Sequence, residues 1–170
     1  MPPLYLLTAV DVRRAEQTAT SRATTISKMV IPPIKLMTAN HNPGGGVMSV
    51  DFSMPRTEPI EPAMEIKGFD IDIFRGYGVT DRWAFAAALR NKRTNADVPF
   101  RAVIEGAITE WEPDEASPEE FVGCNHVFKE VTHYEIVLDG KELWYIDFWE
   151  RIMRRNGQDL FAGVRQALGA

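Results

Sequence analysis

The chain has 170 residues, a formal net charge of −5 and an apolar fraction of 45%. That length and apolar fraction suit one domain with a packed core and exclude disorder throughout. The acidic balance excludes a dedicated nucleic-acid binder with a basic face, and a single cysteine, Cys124, excludes an internal disulfide.

Leu4 to Val12 reads as a first strand, followed by Arg13-Arg14. Its apolar start is short, has no basic leader and meets Asp11 at once, so it does not read as a signal peptide. No apolar run reaches the length of a membrane span. Ala15 to Thr25 reads as a loop or weak extended segment. Ser27 to Ile31 reads as a strand that Pro32-Pro33 must interrupt, because proline cannot donate to a ladder. Thr38 to Gly46 is the clearest loop, ending in three glycines that lose much backbone freedom on ordering. From Val47 to Met54 the alternation is strict. Met48, Val50, Phe52 and Met54 share one face, and Ser49, Asp51 and Ser53 share the other, as in a half-buried antiparallel strand. Pro55 to Pro62 turns the chain, and Ala63 to Gly68 returns.

Phe69 to Tyr77 is the internal helix expected from the spacing of Phe69, Ile73 and Tyr77, closed by Gly76 and Gly78. Val79 to Asn91 and Phe100 to Trp111 alternate again, with Trp83, Phe85, Ala87 and Leu89 on one face of the first. Glu110 to Glu120 is a proline-broken acidic turn. Cys124 to Leu138 leads into Asp139-Gly140, a dipeptide suited to a two-residue hairpin turn, and the chain returns as Glu142 to Phe148. Asn156-Gly157 is expected to stop that strand, and Asp159 to Leu168 to form a short helix. Strands follow one another through turns and not through helical crossovers. The expected fold is mainly β: an antiparallel barrel or sandwich with one flanking helix and a short C-terminal helix.

No chemical constellation stands out. Cys124 and His126 share a strand face, which keeps open a nucleophilic pair in a small β-barrel enzyme or ligand-binding domain. A structural zinc needs four ligands, and the remaining histidines, His41 and His133, are badly placed for one. The acidic cluster from Glu110 to Glu120 lacks the alternating ligands and sharp glycine turn of a calcium loop. Gly44-Gly45-Gly46 is not followed by a lysine and a hydroxyl residue and leads into a strand, so it is no phosphate loop. Core packing accounts for Trp83 and Trp144, whereas Trp111 and Trp149 also suit an interface. The reading is of a structural protein, with no catalytic residue, metal or cofactor.

The C-terminal run carries a resemblance. Tyr134-Glu-Ile-Val-Leu-Asp-Gly-Lys-Glu-Leu-Trp-Tyr-Ile-Asp147, then Asn156-Gly157-Gln-Asp159, Arg165 and Leu168-Gly169, is similar to the end of the major tail tube proteins of contractile-tailed bacteriophages. Lys28-Met-Val-Ile-Pro32, the glycine loop before a Met-rich strand, Lys67-Gly-Phe69 and Val103-Ile-Glu-Gly106 follow in the same order. The chain departs from the pattern at Phe148-Trp149, where the family holds small or polar residues.

The resemblance implies one tail tube domain over residues 1–170, with an extended N-terminal segment and a stacking loop near 38–47. Six subunits would close into a ring, and rings would stack into a tube that carries DNA when an outer sheath contracts. Its partners would be further copies of itself, the tail sheath protein, baseplate and tail-terminator proteins, the tape measure protein during assembly, and passing DNA without specific binding. Its place would be the virion, after assembly in the host cytoplasm. Phage-like bacteriocin and type VI secretion tubes share this architecture. On that reading Asn40, His41, Asn42, Gly44, Gly45 and Gly46 are expected at contacts between rings. Arg151, Arg154 and Arg155 are expected in charge pairs between subunits, and Asp51 and Glu105 on the lumen wall.

Overall fold

The computed structural model describes residues 2–17 and 19–169. Three long antiparallel strands form its centre: β6 (Thr80–Asn91), β7 (Asp97–Pro113) and β8 (Gly123–Leu138). β1 (Tyr5–Arg14) lies against β6. On the other side β8 continues into β9 (Lys141–Asp147), β10 (Ile152–Arg155) and the two-residue β11 (Gln158–Asp159).

The neighbour of β8 changes along its length. Residues 133–138 pair with β9, whereas residues 123–127 pair with β5 (Ala63–Lys67), which carries β2 (Ile26–Val30) on its far edge. The register of β7 against β8 shifts between Glu105 and Ala107 and again between Ile108 and Glu110, and Glu130 on β8 has a φ of 53°. Bulges bend a strand and sharpen its twist. The result is sandwich-like, not a closed barrel. A separate two-stranded sheet, β3 (Leu36–His41) with β4 (Val50–Thr57), stands apart from the nine-stranded one.

The core lies between the bent halves. Trp83 and Phe85 from β6 meet Phe128 from β8 edge-on, at ring-centroid distances of 5.5 and 5.6 Å. Such pairs add about 0.5–1.5 kcal/mol beyond their burial. Val12, Met64, Ile66, Ile104 and Tyr134 complete the buried cluster. The Tyr134 hydroxyl donates to the Pro32 carbonyl at 3.3 Å, and burial raises its pKa above the ordinary phenol value.

Two helices flank this body. α1 (Ile71–Arg75) is capped by Asp70, whose carboxylate accepts the Asp72 backbone N–H at 2.9 Å. α2 (Ala162–Ala167) buries none of its residues.

The structure corrects several sequence expectations. Thr38 to His41 is strand, not loop, because it pairs with Val50 to Ser53 of β4. β4 begins at Val50 and runs through Pro55, so the turn after it starts later. Its apolar face is exposed toward the tip, at Met48, Val50 and Phe52, and half-buried only at Met54 near the base. The mid-chain helix has only five residues. Ile73 alone of its apolar side chains is buried, while Phe69, Phe74 and Tyr77 are exposed. Asn156-Gly157 does not end β9. The chain turns at 148–151, forms β10, and uses Asn156-Gly157 as a second hairpin turn before β11. Among the described residues the strands number eleven, against the seven or eight expected.

Candidate assembly interface

The β3–β4 hairpin is the most conspicuous surface feature. Leu36 pairs with Thr57 at its base and His41 with Val50 near its tip. Asn40 donates to the Asp51 carboxylate across the ladder at 2.8 Å. The residue expected on the lumen wall, Asp51, is thus tied to a residue expected between rings, Asn40. Val47, Met48 and Phe52 stand 102, 66 and 59% exposed, and a side chain at Gly44 or Gly45 would meet nothing within 4 Å. Exposed apolar residues in such a group mark an interaction surface.

At the base of the same hairpin lies an apolar cleft of about 740 Å³. Met37 and Pro55 form one wall and Ile146, Phe148, Ile152 and Phe161 the other. Phe148 and Trp149, 66 and 72% exposed, stack edge-on at 5.0 Å on the turn between β9 and β10. Asp147 fixes that turn by accepting the Glu150 backbone N–H at 2.9 Å and lies 3.2 Å from His133 Nδ1. Burial pushes the Asp147 carboxyl up, but the N–H bonds and His133 outweigh it and hold its pKa below the ordinary value.

The face of the large sheet turned away from the core is charged. By register, Arg82 stands opposite Glu105, and Glu105 opposite His133. Glu135 stands opposite Tyr145, and Tyr145 opposite Arg154. Arg154 makes a two-pronged pair with Glu142, at 3.0 and 2.8 Å, and its guanidinium lies 3.8 Å from the Tyr145 ring centroid. The Arg154 bond holds the Glu142 carboxyl below its ordinary pKa. Arg154 is therefore engaged within its own chain. Arg151 and Arg155 are exposed, and neither side chain makes an ion pair among the described residues.

These exposed apolar and charged surfaces stand beside a family match. The family described as phage tail tube protein FII matches residues 18–169. The chain belongs to that family. One solved structure of similar fold is the cryo-EM structure of the anti-feeding prophage (AFP) baseplate, 6-fold symmetrised. A chain of it superposes with a TM-score of 0.53 at 9% identity, over 81% of this chain and 94% of that one. At that identity the likeness is one of fold alone. No curated protein matches the sequence.

The remaining expected site residues do not assemble into chemistry. Cys124 is buried and its thiol donates to the Gly68 carbonyl at 3.3 Å. His126 is buried beside it, and burial holds its imidazole below the ordinary pKa, only partly offset by Asp70. Both side chains are thus buried, and the thiol is engaged by a backbone carbonyl. Among the described residues no group of three His, Cys, Asp or Glu side chains is placed to hold a metal ion, and no helix is long and apolar enough to cross a membrane.

Sequence reasoning passed over one cluster. Arg22 and Arg14 both lie over the Trp83 ring, at 5.3 and 5.1 Å, and reach Asp70, Asp72 and Asp81 from there. The only available signal was an arginine in an otherwise polar segment, which local pattern does not separate from a surface charge.

Proposed function

We propose that this chain is the structural subunit of a phage tail tube, with six copies closing into a ring and rings stacking into a hollow tube within a contractile sheath. The carrying observation is the β3–β4 hairpin, whose apolar residues Val47, Met48, Val50 and Phe52 are exposed, on a protein of the tail tube family. The six-fold symmetry stated for the anti-feeding prophage baseplate supports six copies to a ring. Physical reasoning agrees on the stacking. A contact between two different patches of identical chains does not close on itself and generates a filament.

In this reading the whole chain works as one tube domain, and Asn40, His41, Asn42 and Gly44 to Gly46 meet the next ring. Asp51 travels with them because it is bonded to Asn40. Glu105, on the charged face, remains the lumen candidate. Arg151 and Arg155 supply charge pairs to neighbouring copies. Sheath, baseplate and terminator proteins contact the tube outside and at its ends. The tape measure protein and then DNA occupy its bore. The assembled protein belongs to the virion, put together in the host cytoplasm.

Native mass spectrometry and negative-stain microscopy of the purified chain test the proposal. Hexamers, rings or tubes are the expected species. Compact monomers alone at high concentration would refute it.

A further inference from the structure

We propose that His133 is a proton-operated switch on the charged face of the large sheet. Neutral, it holds Arg82 of β6; on taking up a proton it releases Arg82 and turns to Glu135. The device is complete within one chain and does not depend on the tube reading.

His133 is buried although it lies on the face turned from the core, with 6% of its side chain exposed. Both ring nitrogens are engaged. Nδ1 lies 3.2 Å from an Asp147 carboxylate oxygen, and Nε2 lies 3.4 Å from an Arg82 guanidinium nitrogen. A carboxylate only accepts and a guanidinium only donates. One proton assignment satisfies both contacts: Nδ1 carries the hydrogen and donates it to Asp147, and bare Nε2 accepts from Arg82. The imidazole is then neutral, and the bond at each nitrogen fixes the tautomer.

A second proton can enter only at Nε2, where it meets Arg82. Two donors then face each other, each with a positive charge, so that contact is lost. A replacement acceptor stands close: Glu135 Oε2 is 3.9 Å from Nε2. Arg82 is exposed, so its side chain moves without disturbing the core. Glu105 stands opposite it in register and can receive it. Asp147 keeps its bond to Nδ1 in both forms, so the turn between β9 and β10 stays held.

The other neighbours do not oppose the exchange. Tyr145 packs edge-on against the imidazole at 5.0 Å, and the guanidinium of Arg154 over its ring is already paired with Glu142. On the cleft side, Arg56 and Arg151 stand with Glu58 and Asp147, so neither sign prevails there.

The proton changes the charge of the whole face. Arg82, Arg101 and Arg154 stand against Glu105, Glu135, Glu142 and Asp147, an excess of one carboxylate that protonated His133 cancels. Histidine is the side chain suited to such a change between about pH 5 and 8.

The experiment uses dilute full-length subunits with isotope-labelled histidine and reads the ring nitrogens by nuclear magnetic resonance. His133→Gln identifies the His133 signals among those of His41 and His126; should that variant not fold, the signals that move in the two variants below identify them. At about pH 8 the ring should carry its hydrogen on Nδ1 and none on Nε2, and acid should protonate Nε2. Arg82→Met removes the opposing charge and should raise the proton affinity of His133 by about threefold or more. Glu135→Gln removes the incoming acceptor and should lower it by about as much. A hydrogen on Nε2 at the alkaline end, or a titration midpoint unchanged in both variants, overturns the switch.

Discussion

Arg22, in the segment between β1 and β2, donates to the carboxylate of Asp70, the N-cap of α1, at 2.5 Å while only 3% of its side chain is exposed. A second ionic contact, to Asp72 at 3.5 Å, lacks hydrogen-bond geometry. The guanidinium lies over Trp83, so the arginine joins the N-terminal segment, the short helix and the core through one side chain. The same segment is held from the other side. Asp11 accepts from the Ser21 hydroxyl and from the Arg22 backbone N–H, at 2.8 and 2.7 Å. Burial pushes the Asp11 carboxyl up, but these bonds and Arg13 hold it below its ordinary pKa.

Removing one member of a buried charge pair leaves the other unpaired, which costs roughly 3–5 kcal/mol. Arg22→Met should lower the denaturant midpoint by a corresponding amount. Arg22→Met with Asp70→Asn should recover part of the loss, because asparagine still caps the helix and only the Asp72 carboxylate is left without its arginine. Urea unfolding of both variants measures this. A loss below about 1 kcal/mol for the single variant would show a surface-like pair instead.

His126 makes stability depend on pH. Its imidazole is neutral in the folded chain because burial disfavours the charged form. The unfolded chain takes up a proton near the ordinary value of about 6.5. Above that value the two states bind the same number of protons and the contribution is complete. As pH falls below it, only the unfolded state gains the proton, so stability declines until the lowered folded pKa is reached. His126→Gln should flatten the dependence of the unfolding midpoint between pH 7.5 and 5.5. An unchanged slope would assign the dependence to other groups.

The strands were legible because apolar alternation is a local signal. Asp139-Gly140 was legible for the same reason, and both residues do take positive φ, 51 and 73°. Asn156-Gly157 takes the same conformation, at 48 and 79°, yet was read as a stop, because two residues of β11 are too few to show alternation. Thr38 to His41 hid as loop because its residues are polar and its order comes from pairing with β4. The apolar face of β4 was read correctly as a face, yet toward the tip it is exposed and not buried. Periodicity reports that a face avoids water and does not say whether its own chain covers it. Arg22 gave no signal, since its partner Asp70 is distant in sequence.

The glycine loop should change most on assembly. In the free chain Gly44 and Gly45 have no side-chain-distance neighbours, and the tip residues are exposed. Glycine loses much conformational freedom on ordering, so a partner is needed to hold the loop. Amide exchange over residues 42–49 should slow strongly when subunits assemble, while the β6–β8 ladder changes little. Equal exchange at the tip in free and assembled protein would remove this loop from the contact.

The last prediction concerns passage of DNA through the proposed bore. The face turned from the core brings Arg82, Arg101 and Arg154 together with Glu105, Glu135, Glu142 and Asp147. Arg154 is neutralised by Glu142 and stacked on Tyr145, and Arg82 approaches His133 Nε2 at 3.4 Å. If this face lines the bore, its wall is near neutral with a small excess of carboxylate and no continuous lysine–arginine track. That balance matters because each basic contact with phosphate releases counterions and gains affinity, and a wall of such contacts would hold the DNA in place. Charge on the wall acts only at short range, since screening extends about 8 Å at physiological salt. Glu105→Lys, repeated around every ring, should therefore leave tube assembly unchanged and slow DNA release from reconstituted particles, with the delay shrinking as salt is raised. Glu105→Gln should have a much smaller effect. A charge-reversed tube that releases DNA at the original rate at low salt would place Glu105 away from the bore, and a structure of the assembled tube would then show which face lines it.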